Sequence, residues 1–167
     1  MEGPSVLKHI RDILILPCTV TVIVPLLIYD TKKLFLPGNS LITLLGVLLF
    51  LAGISLFLYT VYLFRTQGRG TLAPWTPTQQ LVINGPYRYC RNPMISGVLF
   101  ILLGETLFFH SIAVALWSAA FFFINTVYFI FKEEPDLYKR FGEAYRTYKK
   151  HVPRWIPRLS PYRHQLS

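Results

Sequence analysis

From Met94 to Phe131 the chain reads MISGVLFILLGETLFFHSIAVALWSAAFFFINTVYFIF, about 38 residues in which Glu105 and His110 are the only groups that would carry charge near neutrality. A helix rises 1.5 Å per residue and a bilayer core takes roughly 20 residues to cross, so the run is too long for one crossing and right for two. It reads as a helical hairpin turning near His110-Ser111. The third helix of the chain is then expected over about 94–109 and the fourth over about 112–131, roughly 24 and 30 Å long.

Outward from that hairpin the pattern repeats. Leu41 to Phe64 is about 24 residues without a charge, with Gly46 and Gly53 offering small surfaces where another helix can approach closely. Ile13 to Tyr29 is an uncharged run of about 17 residues in which Pro17 and Pro25 are the points where a helix would bend. It leads into Tyr29-Asp30-Thr31-Lys32-Lys33 rather than into small residues of a cleavage site, so it is expected to be retained as a span. The composition agrees: of 167 residues 53% are hydrophobic and only 15% charged, against ~25% charged in soluble domains. The fold class expected is all-α, an integral membrane helical bundle of about four transmembrane helices (about 13–29, 41–64, 94–109 and 112–131) forming one domain over 1–167.

The net charge of +9 could speak for nucleic acid or for a membrane surface. Position decides. Lys8 and Arg11 precede the first span, Arg65, Arg69, Arg88 and Arg91 follow the second, and all the other basic residues except Lys32 and Lys33 follow the fourth. The positive-inside rule then puts both termini in the cytoplasm of a multi-pass protein, in a bacterial inner membrane or the endoplasmic reticulum, with the bilayer as partner and no nucleic acid. Cys18 and Cys90 make no disulfide framework and read as reduced structural thiols, with a reactive Cys90 as the lesser alternative.

With no room for a separate soluble domain, chemistry must lie in loops and helix ends. The loop over about 65–93 is longer than most connections and is built from shape-setting residues such as Pro74, Trp75, Gly85, Pro86 and Tyr87. Gly68-Arg69-Gly70 is read as a turn before it is read as a ligand wrap. Beyond Pro135, Leu137, Phe141, Tyr145 and Tyr148 recur at helical spacing opposite Lys139, Arg140, Glu143, Arg146 and Lys150, which predicts a basic amphipathic helix over about 135–150 on the membrane surface, followed by Trp155 as an interfacial anchor.

Glu133 and Glu134 run against the positive bias of this face. Carboxylates in a first helical turn suit the helix dipole, but the hairpin also returns Glu133 to the neighbourhood of Tyr87 to Ile95, so aromatic, amide and carboxylate groups converge at the bilayer edge. Glu105 lies roughly 16 Å along its helix; a structural hydrogen bond, for instance to Asn125, and a substrate contact are both open readings. No Walker loop, HExxH, CxxC, GxSxG or dinucleotide fingerprint occurs, and no metal site is expected.

The stretch Gly85-Pro86-Tyr87-Arg88-Tyr89-Cys90-Arg91-Asn92-Pro93-Met94, followed by Glu133-Glu134-Pro135, by Phe141-Gly142-Glu143-Ala144-Tyr145 and by Val152-Pro153-Arg154-Trp155-Ile156-Pro157, resembles the isoprenylcysteine carboxyl methyltransferases and their phospholipid methyltransferase relatives. The resemblance spans roughly 68–157. It implies an S-adenosylmethionine-dependent membrane methyltransferase with cofactor contacts at Gln79, Gln80, Leu81, Val82, Tyr87, Asn92, Pro93, Met94, Ile95 and Glu133. Two positions depart from it: Asn92 stands where many members carry His, which removes a titrating ring, and Phe129 stands where the prenylcysteine enzymes place an Arg for the substrate carboxylate.

The expected activity is therefore methyl transfer at the cytoplasmic interface to a lipophilic acceptor, a lipid or lipidated small molecule, with a phospholipid amine among the candidates. Carboxylate and thiolate acceptors need no base, whereas a protonated amine would call on Glu134 or Glu105. The alternatives are an NADPH-dependent sterol-type reductase and a non-catalytic membrane scaffold or small transporter. A partner or second copy of the chain, making a homo-oligomer, is one way to cover Glu105.

Overall fold

The computed structural model describes residues 14–29, 38–68 and 79–163, of 14–16 the backbone only. Ile13, the charges at Lys8, Arg11, Lys32, Lys33 and Arg69, and Pro74 and Trp75 lie outside them. Among the described residues every regular element is a helix and there is no strand.

The first helix is wide. A π-helical stretch, Leu14–Ile23, contains Pro17 and passes into α1, Val24–Ile28, with Pro25 in its first turn. Proline has no N–H to give the helical ladder, and the Thr21 hydroxyl donates to the Pro17 carbonyl at 2.8 Å, keeping that acceptor satisfied in an apolar setting. Where the sequence led to an expected bend at these prolines, the helix instead widens into the π-helical stretch.

α2, Ser40–Leu63, starts at Asn39, whose side chain accepts from the Ile42 N–H, and ends in a π turn, Phe64–Gly68. α3, Pro93–Phe109, stops at His110, which takes a left-handed conformation with φ 51°. Ser111 then caps α4, Ile112–Tyr128, by accepting from Val114 N–H. The hairpin and its turn are those expected. A π turn, Phe129–Glu133, joins α4 to α5, Glu134–His151.

α2 packs most extensively on α3, and glycines on both sides make this possible. A Cβ at Gly53 would lie 2.7 Å from the Gly97 carbonyl oxygen, and one at Gly104 would lie 2.8 Å from the Gly46 carbonyl oxygen. The antiparallel pairs Gly46 with Gly104 and Gly53 with Gly97 thus bring two backbones together where no side chain fits, and dispersion and Cα–H···O contacts act at short range. The core beside them is Phe57, Met94, Val98, Leu102 and Phe121.

Two helical stretches, Ser40–Gly68 and Ile112–His151, contain windows long and apolar enough to cross a membrane, and only 17% and 22% of those windows is buried within the protein. Their apolar faces are therefore not a soluble core. Leu41, Leu44, Leu48, Leu58, Leu116, Phe123, Ile124 and Phe131 stand exposed, which places this chain in a membrane. Pro17–Ile28 and Pro93–Phe109 are shorter apolar helices.

α5 departs from a plain surface helix in two ways. Gly142 breaks its backbone with φ 54°, ψ −132°, a conformation that favours glycine. Its tyrosine face also packs on protein: Tyr145, Tyr148 and Val152 form a buried cluster with Leu81, Ile83, Leu137, Phe141 and Tyr162 around it. The chain beyond α5 ties back to the loop before α3, with Arg91 N–H donating to Pro153, Arg158 N–H to Tyr89 and Tyr162 N–H to Arg88. Trp155, expected as an interfacial anchor, packs on Phe122 and Phe129 at 5.0 and 5.6 Å between ring centroids.

Candidate active site

Between the start of α3, the end of α4, the first half of α5 and the loop residues 81–92 lies a cavity of about 760 Å³. Its mouth carries Arg91, Lys132, Glu133, Asp136, Lys139 and Arg140. Its inner end, reaching toward the first helix, is lined by Pro17, Val20, Phe57, Trp117 and Phe121. A polar mouth opening onto an apolar interior suits a ligand pair of unlike polarity, and the volume lies in the ordinary range for small-molecule sites.

Tyr87 is placed by the short 3₁₀ turn Gly85–Arg88. Gly85 holds φ 55° there, a left-handed conformation that favours glycine, and a Cβ on it would also meet the Tyr59 hydroxyl at 2.9 Å. The Tyr87 ring stacks on Phe64 at 5.4 Å, and its carbonyl accepts from the Tyr148 hydroxyl at 2.6 Å. The residue is 5% exposed, and its own hydroxyl has no partner among the described residues. Burial, with Tyr148, Glu133 and Cys90 nearby, holds that hydroxyl well above the ordinary tyrosine range, so it stays protonated and available as a donor.

The two adjacent glutamates have opposite environments. Glu133 lines the cavity and makes no ion pair within 4 Å among the described residues; burial first and Glu134 second push its carboxyl up to about 7, against a smaller pull from Arg140. Glu134 does not line it. Its Oε1 accepts from Arg91 at 2.9 Å and from Arg154 at 2.7 and 2.9 Å, and its Oε2 meets Lys149 Nζ at 2.7 Å. Burial alone would raise Glu134, but Lys149, Arg154 and Arg91 outweigh it and hold the carboxyl below the usual carboxylate range. A carboxylate bound by three cations is a poor proton acceptor. Through these contacts Glu134 ties the loop, α5 and the tail together.

Of the other residues singled out in the sequence, Leu81, Val82, Asn92, Met94 and Ile95 line the same cavity. Asn92 makes no capping hydrogen bond with its side chain, although it sits at the start of α3. Pro93 is fully buried outside the lining, and Gln79 and Gln80 are exposed, their backbone N–H groups donating to the Gly68 carbonyl. Glu105 does not join the group. It lines a separate cavity from Glu133, and the suggested Asn125 partner donates instead to the Phe121 carbonyl. Cys90 is buried, and burial raises its thiol, which fits a structural residue.

Several lining residues were not singled out from the sequence as site residues: Tyr145, Tyr148, Phe129, Asn125 and the first-helix pair Pro17 and Val20. The helical spacing of Tyr145 and Tyr148 was legible, but not whether they face lipid or protein.

A family model described as phospholipid methyltransferase matches residues 41–144, from the start of α2 into the second half of α5 and more than half of the chain. The chain belongs to the phospholipid methyltransferase family. No curated protein sequence matches it closely enough to serve as a relative. α2, α3, α4 and the first turns of α5, which frame the cavity, lie within the match, whereas the lining residues Pro17, Val20, Tyr145 and Tyr148 lie outside it. Membership makes this a membrane methyltransferase.

Proposed function

We propose that this protein transfers a methyl group from S-adenosylmethionine to a lipophilic acceptor at the cytoplasmic edge of the membrane. The observation that carries this reading is the shared lining of one cavity by Leu81, Val82, Tyr87, Asn92, Met94, Ile95 and Glu133, seven of the positions to which the resemblance assigns cofactor contacts. The donor set fits the molecule: a carboxylate for its ammonium, an amide and a phenol for its carboxylate or ribose, and apolar side chains for its adenine.

When bound, S-adenosylmethionine would supply an electrophilic methyl group on a sulfonium. Within this chain, Glu133 receives the ammonium, and ionising it on binding places a charge where burial disfavours one in the empty site. Asn92 and the Tyr87 hydroxyl donate hydrogen bonds. The Glu134 hub with Arg91, Lys149 and Arg154 fixes the mouth, which is a positioning role. Pro17, Val20, Phe57, Trp117 and Phe121 receive the hydrocarbon of the acceptor, align its nucleophile and exclude water.

The topology in this reading has four spans, with the π-helical first helix and α1, α2, α3 and α4 crossing and both termini cytoplasmic. α5 and the tail then close the site from the cytoplasm. The acceptor enters from the bilayer while the cofactor enters from water.

Equilibrium binding of S-adenosylmethionine and S-adenosylhomocysteine to nanodisc-embedded protein tests it. Saturable binding, weakened in Glu133→Gln and in Tyr87→Ala, is the expected result. No binding by folded wild type at millimolar cofactor overturns it.

A further inference from the structure

A second cavity, of about 520 Å³, lies between the first helix, α2 and α3. Its walls are Val22, Pro25, Leu26, Val47, Phe50, Leu51, Phe108 and Phe109, with only Thr21 and Glu105 polar. Glu105 is 9% exposed and, among the described residues, its buried Oε2 has no hydrogen-bond partner. A lone carboxyl in an apolar membrane interior is costly, and such groups are normally paired. Among the described residues no cationic side chain lines this space.

We propose that this cavity binds a lipophilic amine, a protonated nitrogen on a hydrocarbon body, that enters sideways from the bilayer. Three observations converge on that chemistry. Val22, Leu26, Leu51 and Phe108 line the cavity and are also exposed on the outer surface, which opens it toward lipid rather than toward water. The eight apolar walls fit a hydrocarbon body. The polar groups fit a donor-rich head: the Thr21 hydroxyl already spends its hydrogen on the Pro17 carbonyl at 2.8 Å and has only lone pairs left to offer, as has an ionised Glu105. An ammonium supplies the missing donors and neutralises the buried charge.

The site is independent of the proposed methyl transfer. The two cavities have no lining residue in common, although the first helix borders both, Pro17 and Val20 on one and Thr21, Val22, Pro25 and Leu26 on the other.

The test is native mass spectrometry of the detergent-solubilised full chain titrated with dodecylamine and, separately, dodecanol. One dodecylamine per chain is expected, bound at least tenfold more tightly than dodecanol and weakened at least tenfold in Glu105→Gln. Val47→Phe, which fills the space and leaves the carboxyl, is expected to weaken it as well. S-adenosylhomocysteine binding on the same samples reports the other cavity. Its retention in both variants shows that they fold, and its failure in wild type would count against methyl transfer only. Equal affinity for amine and alcohol, or equal amine binding by wild type and a folded Glu105→Gln, overturns the proposal, as does a dimer that excludes the amine. A diazirine-bearing long-chain amine photolysed on wild type is expected to label Leu26, Leu51 or Phe108; labelling confined to other residues overturns it without any variant.

Discussion

Replacing Glu134 by Gln should unfasten the loop before α3, α5 and the tail from one another. The carboxylate is 7% exposed at its side chain and faces Arg91 and Arg154, whose side chains are 10% and 20% exposed. Lys149, at 49%, sits in solvent and contributes on the scale of a surface pair, ~0–1 kcal/mol. Breaking a buried pair costs about 3–5 kcal/mol, because the cations left behind are desolvated and unpaired. The Gln amide oxygen still accepts one or two of the hydrogen bonds, so the lower figure applies, about 3 kcal/mol. For a chain of this size that is roughly 6–12 °C in melting temperature. Thermal unfolding of nanodisc-embedded protein, followed by tryptophan fluorescence with Trp155 next to Arg154 as a local reporter, reads the shift. Glu133→Gln is the matched control: its carboxyl is disfavoured by burial in the empty site, so that variant should melt no lower than wild type. A Glu134→Gln protein melting within about 2 °C of wild type, or a Glu133→Gln protein falling as far, refutes the assignment of hub and ligand to the two neighbours.

Both glutamates also give pH signatures. Glu134 is held below its unfolded value, so its stabilisation is complete above that value, near 4.5, and disappears as pH falls through the folded one; the acid melting transition should lose this component in Glu134→Gln. Glu133 is raised to about 7 in the empty site, and an ammonium ligand favours its ionised form, so adenosylhomocysteine affinity should fall by up to about tenfold per pH unit below 7 and level off above it. A flat profile across pH 5.5–8 (about this range) removes Glu133 from the site. Tyr87→Phe deletes a buried hydroxyl without a partner, so stability should hold or rise while cofactor affinity drops roughly 3- to 10-fold; equal affinity would exclude the hydroxyl as a contact. Gly53→Ala puts a Cβ 2.7 Å from the Gly97 carbonyl oxygen, so the two helices must part until that contact nears the ordinary 3.4 Å, and should cost about 1–3 kcal/mol in thermal or denaturant unfolding. Gly142→Ala, with nothing within 4 Å of the new Cβ, should cost about 1–2 kcal/mol through its positive φ alone.

Sequence by itself determined the helical hairpin. An uninterrupted apolar run of a given length has few alternatives in a bilayer, and His110-Ser111 supplied both the stop and the next cap. It also drew Glu133 toward Tyr87 and Asn92, because a hairpin must return the chain to the side it left. The close approach at Gly46 and Gly53 was readable for the same reason, a helix without side chains on one stripe, but the partner glycines at 97 and 104 were not, since pairing across helices is a tertiary property. Periodicity showed that Tyr145 and Tyr148 share a face, yet lipid and a protein core select the same residues, and only packing showed the tail and loop covering them. Charge count could not separate Glu133 from Glu134. Adjacent residues on a helix point about 100° apart, and which of the two meets Arg91, Lys149 and Arg154 was decided by where α5 and the tail fold back. Glu105 was visible as an intramembrane carboxyl, while its membership of a cavity apart from Glu133 depended on how the first helix, α2 and α3 come together.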